Sequence, residues 1–99
     1  MAIDVDDNFY DRADAHINLS NDQLKEIGSG KVSASMMFAL ARFNSWVSAG
    51  GFSSSDEMKE KREEIVEYFP GQYRNMFEDN LDDYIANFEK YMGSGNYTA

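Results

Sequence analysis

The chain has no cysteine and one proline, Pro70, in 99 residues. Without cysteine there is no disulfide, no disulfide-linked partner, no thiolate metal site and no cysteine nucleophile. Such a composition suits a reducing compartment. Long apolar runs are missing as well. The longest, Met36 to Ala41, falls far short of the roughly 20 residues that a membrane span needs. Basic charge is scarce: nine Lys and Arg stand against 18 Asp and Glu, a net charge of -9. Phosphate backbones and anionic lipid surfaces are bound by clustered Lys and Arg, so nucleic acid and membrane are excluded as expected partners. The one local basic group, Lys59, Lys61 and Arg62, sits among Glu57, Glu60, Glu63 and Glu64. The N-terminal Met1-Ala2-Ile3-Asp4 has neither the basic segment nor the apolar core of a signal peptide, and Ala2 excludes N-myristoylation. Asn18-Leu19-Ser20 and Asn96-Tyr97-Thr98 match the glycosylation pattern by chance on this reading, and a cytoplasmic location is expected.

Strand signals are also missing: no alternating run of Val, Ile and Thr flanks a hairpin dipeptide. Helical periodicity is abundant. Apolar residues make up 42% of the chain, too many for a disordered acidic chain. Breakers at Gly28-Ser29-Gly30, Gly50-Gly51, Phe69-Pro70-Gly71 and Gly93-Ser94-Gly95 divide it into four segments. The first, about Asp7 to Ile27, gathers Phe9, Ala13, His16, Ile17, Leu24 and Ile27 on one face. Gly28 is its expected stop, and Ser20 to Gln23 resembles a second capping box that would interrupt it. The second, about Ser33 to Ala49, is apolar nearly all round, with Arg42 its only charge. Such a helix is buried on every side, as the central helix of a domain or the seam of an oligomer. The third opens on a capping box, Ser54 with Glu57, and carries a favourable Lys59–Glu63 spacing. The fourth, Gly71 to about Met92, places Phe77, Leu81, Tyr84, Ile85 and Phe88 on one face and its carboxylates on the other.

The expected fold is all-α: one domain over 1–99 built as a small four-helix bundle, its ordered core about 6–92 and a polar tail over 93–99. Pro70 costs about 3 kcal/mol inside a helix and disfavours helical geometry at Phe69. A turn or kink is therefore expected there, the last two helices otherwise being one helix kinked at Pro70.

No catalytic constellation is visible. His16 is the sole histidine, and a lone His is more simply a hydrogen-bonded core-edge residue than an acid–base group. A di-iron carboxylate bundle needs Glu-x-x-His twice, and Ala13 stands three residues before His16. A calcium loop opening at Asp4 needs Gly and Glu where Phe9 and Ala15 stand. No metal, cofactor or catalytic residue is therefore assigned, and no enzyme is expected. Arg42, a lone cation on an apolar helix, needs an anion or water. A carboxylate of another helix is the plainer partner; a ligand's anion is the alternative. The surplus of Phe, Tyr and Met points to core packing or to a contact surface. The expected function is a self-associating interaction or adaptor module, with a protein partner or homo-oligomer. The alternative is a ligand-binding protein with a pocket between the first two helices, where His16 and Arg42 meet a small anion.

Three stretches resemble a known family: Phe9-Tyr10-Asp11-Arg12-Ala13-Asp14-Ala15-His16-Ile17-Asn18-Leu19; Gly30-Lys31-Val32-Ser33-Ala34-Ser35 leading to Ala41-Arg42-Phe43-Asn44; and Tyr73-Arg74 with Asn80-Leu81-Asp82-Asp83-Tyr84-Ile85-Ala86-Asn87-Phe88. Together they look like the small bacterial proteins of domain of unknown function 3144, over about residues 6 to 92. That resemblance implies a small helical bacterial protein and brings no activity or site residues with it. The stretch around Pro70 departs from the family pattern, in which the helix runs on.

Overall fold

The computed structural model describes residues 5–93 and 98–99. Five helices follow one another: α1 Phe9–Leu24, α2 Ser29–Ala49, α3 Ser55–Glu60, α4 Arg62–Ala86 and α5 Phe88–Met92. Among the described residues there is no strand, so the all-α expectation holds. None of the helices is long and apolar enough to cross a membrane. Residues 1–4 and 94–97, including most of the polar tail and Asn96-Tyr97, lie outside the described residues.

α1 starts on a polar clasp. The Asp6 carboxylate accepts from Asn8 N–H at 3.1 Å and from the Arg12 guanidinium, and Asp6 C=O accepts from Phe9 N–H at 3.1 Å. The helix is not interrupted at Ser20. That hydroxyl donates back to His16 C=O at 3.1 Å, satisfying the side chain within the helix instead of capping a new one. α1 ends at Leu24, short of Gly28. Gly28 serves the next helix: its extended backbone is the N-cap of α2, and its C=O accepts from Lys31 and Val32 N–H. α2 therefore starts at Ser29, four residues before the position read from the sequence.

Ser54 caps α3 as expected. Its hydroxyl accepts from Glu57 N–H at 3.2 Å, while the Glu57 carboxylate accepts from Ser53 N–H at 3.1 Å. The break expected at Pro70 is absent, and α4 continues through it. Proline forfeits the bond to Val66 C=O but affects one turn only. The apolar stripe Ile65, Val66, Phe69 continues in phase into Tyr73, Met76, Phe77, so one straight-through register serves both halves. The interruption falls instead at Lys61, which closes α3 and opens α4 with φ −99° and ψ 4°. This separates Lys59 from Glu63, and Glu63 pairs with Arg62 at 2.8 Å in place of the expected i, i+4 partner. A second break at Asn87 sets off α5, which sequence periodicity had merged with the helix before it.

Among the described residues five helices stand where four were expected, in one small all-α domain. α1 packs against α2, while α3 and α5 touch α4 at its two ends. The molecule measures 52 × 29 × 25 Å, with a radius of gyration of 16.5 Å. A compact chain of this length has about 13 Å. Among the described residues the one buried apolar side chain is Val32, at 6% exposure, where the start of α2 meets α1. The expectation that α2 is buried on every side within the chain is thus corrected: the turn at Gly28 folds α1 back over only the first part of it.

Replacing Ser54 with alanine should remove one helix-capping bond, costing about 1 kcal/mol of helix stability. Amide hydrogen exchange should read this as roughly fivefold faster exchange confined to the Glu57–Lys61 amides.

Candidate functional site: exposed apolar faces on two helices

α2 carries its apolar residues on two ridges. Met36, Leu40, Phe43 and Val47 continue the line that begins at buried Val32, and all four are exposed. Phe38, Arg42 and Trp46 follow at i, i+4 and i+8 as an adjacent ridge. Phe38 is 72% and Trp46 71% exposed, and the Trp46 ring lies 5.6 Å from that of Phe43. Ser45 and Ser48 turn their hydroxyls onto the carbonyls of Ala41 and Asn44, both at 2.8 Å. These small polar residues thus use up their hydrogen bonds inside the helix and leave the rings as the dominant surface.

α4 presents the second face. Tyr73, Phe77, Leu81 and Tyr84 fall within about 80° of one another at helical spacing, and all are exposed. Tyr73 and Phe77 stack with centroids 5.6 Å apart. At the helix end Asp83 gathers the break: it accepts from Tyr91 Oη at 2.8 Å and from Asn87 Nδ2 at 2.9 Å, and Tyr84 lies 4.6 Å from Tyr91, centroid to centroid. Hydrogen bonding to the Asp83 carboxylate pushes the Tyr91 phenol up from its ordinary value. These bonds tie α5 to the end of α4, and Phe88, the first residue of α5, is also exposed.

Large apolar side chains in water set the energetics. Covering one is worth about 1.5–3 kcal/mol, whereas an exposed ion pair contributes about 0–1 kcal/mol. The five ion pairs among the described residues all lie at the surface within short sequence spans, such as Arg74–Glu78 at 2.8 Å. They support individual helices and do not join one helix pair to another.

The two residues singled out for a small anion do not meet in a pocket. The cleft between α1 and α2 is open, about 290 Å³, and lined by Gln23, Glu26, Ile27, Lys31, Val32 and Ser35. Neither His16 nor Arg42 lines it. His16 is exposed on α1 and not at the edge of a core. Arg42 is exposed on α2, and no carboxylate among the described residues forms an ion pair with it. Among the described residues no three of His, Asp and Glu converge in a metal-ligating group. One contact that the sequence did not suggest ties the chain's end to α1. Asn21 Nδ2 donates to Ala99 C=O at 3.0 Å, and Ala99 N–H donates to Asn21 Oδ1 at 2.9 Å.

Fold and surface together define a small, open, all-helical protein whose main surface feature is uncovered apolar helix faces. The chain belongs to the family described as protein of unknown function DUF3144, which matches residues 9–85. It is also similar to a solved structure, the NMR structure of the protein NB7890A from Shewanella sp. That protein shares 38% identity with a TM-score of 0.75, over 93% of this chain and 98% of the other. No curated protein matches the chain.

The polar clasp at the start of α1 makes a pH prediction. The Arg12 guanidinium, helped by Asn8 N–H, holds the Asp6 carboxyl at about 2, down from 3.8. Because the folded value is the lower one, the clasp's contribution is complete above pH 3.8 and is lost as pH falls through about 2. Carboxyl-detected NMR should find the Asp6 midpoint near 2, and Arg12→Gln should return it toward 3.8.

Proposed function

We propose that the chain is a non-catalytic interaction module that self-associates through α2, acting as an adaptor in the cytoplasm. The carrying observation is the α2 surface: Phe38 and Trp46, each more than 70% exposed, flank Arg42 on a helix with no carboxylate. Aromatic residues and Arg are the side chains most enriched at the centres of protein interfaces. Contiguous apolar surface on this scale is rare on a protein that works alone. The net charge of -9 keeps the module apart from nucleic acid and anionic lipid, and favours association with surfaces that are not acidic. The small-anion pocket is the weaker reading, because His16 and Arg42 lie outside the α1–α2 cleft.

Sedimentation velocity on the Phe38→Ser/Trp46→Ser double variant tests this role for α2. Removing two large apolar groups from an interface should raise the dissociation constant at least about tenfold, the equivalent of 1.4 kcal/mol. Circular dichroism should still show a folded, helical chain. Unchanged affinity in that folded variant would take α2 out of the seam.

A further inference from the structure

We infer that the occupant of the α2 face is the second half of α4 from another copy of this chain, each chain completing the other's core. This rests on the reading of the chain as a self-associating module and adds the partner surface to it.

The chain exposes 8527 Å². A compact monomer of 11.3 kDa exposes about 5,700 Å², an excess here of about 2,800 Å². If each of two chains hides half of that excess, the pair buries about 2,800 Å² in total. This lies inside the range of obligate homodimers, about 2,000–5,000 Å².

Geometry chooses the surfaces. The α2 stripe from Met36 to Val47 is about 17 Å long, and the α4 stripe from Tyr73 to Tyr84 is of the same length at 1.5 Å per residue. Within one chain α4 is touched chiefly at its ends, by α3 and α5. A twofold axis can set α2 on the partner's α4 and the partner's α2 on α4 in one closed, self-complementary arrangement.

Charge selects this pairing over the others. From Met36 to Val47, α2 carries one charge, Arg42. Over Tyr73 to Tyr84, α4 carries Glu78, Asp79, Asp82 and Asp83 against Arg74 alone. Packing α2 on a second α2 brings Arg42 near its own copy, and packing α4 on α4 brings carboxylates together. Packing α2 on α4 brings Arg42, which pairs with no carboxylate among the described residues, to Glu78 and Asp83, which border the apolar stripe on its two sides at helical spacing. Glu78 already holds Arg74 and Asp83 already accepts from Tyr91 and Asn87, and each carboxylate has lone pairs left for a further donor.

The test mixes isotope-labelled and unlabelled chains in equal amounts and records isotope-filtered NOEs alongside sedimentation equilibrium. The expected result is a dimer with intermolecular contacts from the Leu40 and Val47 methyls to Phe77, Leu81 and Tyr84. A dimer whose intermolecular contacts join α2 only to α2 would overturn the pairing with α4 and leave self-association standing. A monomer at NMR concentration would overturn both, and would leave the face to a different protein. Arg42→Met separates the two dimers further. It should weaken an α2–α4 dimer about threefold or more by losing an ion pair, whereas a tighter dimer would signal relief of Arg42 repulsion and overturn the proposal.

Discussion

Water left against apolar side chains is the constraint on which this structure turns. The helices form for local reasons: the Asp6 clasp, the Ser54 cap and in-phase apolar stripes. What they lack within one chain is a place to put those stripes. Among the described residues only Val32, near the Gly28 turn where α1 comes back over the start of α2, is a buried side chain. In proteins most helical stability comes from packing an amphipathic face rather than from helix propensity. α4, with 25 residues and a proline in its ninth position, presents the longest such face. A long helix that gives up a backbone bond at Pro70 needs its face covered more than most.

The charges have a different job. Ion pairs lie along single helices or across a helix start, all well exposed, and add little to tertiary stability. The acidic excess is concentrated away from the apolar stripes, most clearly on α4, where Asp79 and Asp82 lie opposite Tyr73 and Tyr84 at helical spacing. This division puts like charge on one side of the helix and apolar side chains on the other. Arg42 is the exception, a cation one helical turn from both Phe38 and Trp46.

How much of this was legible in the residues depends on which physical effect carried the signal. Caps are local: Ser54 with Glu57 could be read three residues apart and is present as read. Helix class and a few boundaries, the start of α3 and the end of α2 among them, follow from a 3.6-residue period and the breakers, and the family resemblance is likewise carried by short local stretches. The interruptions were harder. Lys61 sits in Lys59-Glu60-Lys61-Arg62, all good helix formers, so propensity gave no warning of a break there. Asn87 left a fainter trace, since its side-chain amide competes for backbone bonds and here donates to Asp83 C=O at 3.1 Å. Pro70 misled in the opposite sense, because a local penalty of about 3 kcal/mol was outweighed by a stripe in phase on both sides of it. The candidate surface was visible as an apolar helix, but periodicity cannot tell a buried core from a seam: both need the same side chains. His16 and Arg42 were linked by residue type alone, and chemistry without tertiary contacts could not reveal that they lie outside the α1–α2 cleft.

The most direct measurement is thermal unfolding followed by circular dichroism at protein concentrations about a hundredfold apart. If folding and association are one event, Tm must rise with concentration by mass action. The expected result is a single cooperative transition whose Tm is several degrees higher in the concentrated sample. A Tm that does not change with concentration, in a chain that remains a cooperatively folded monomer at both, would contradict the claim that a second copy covers these helices.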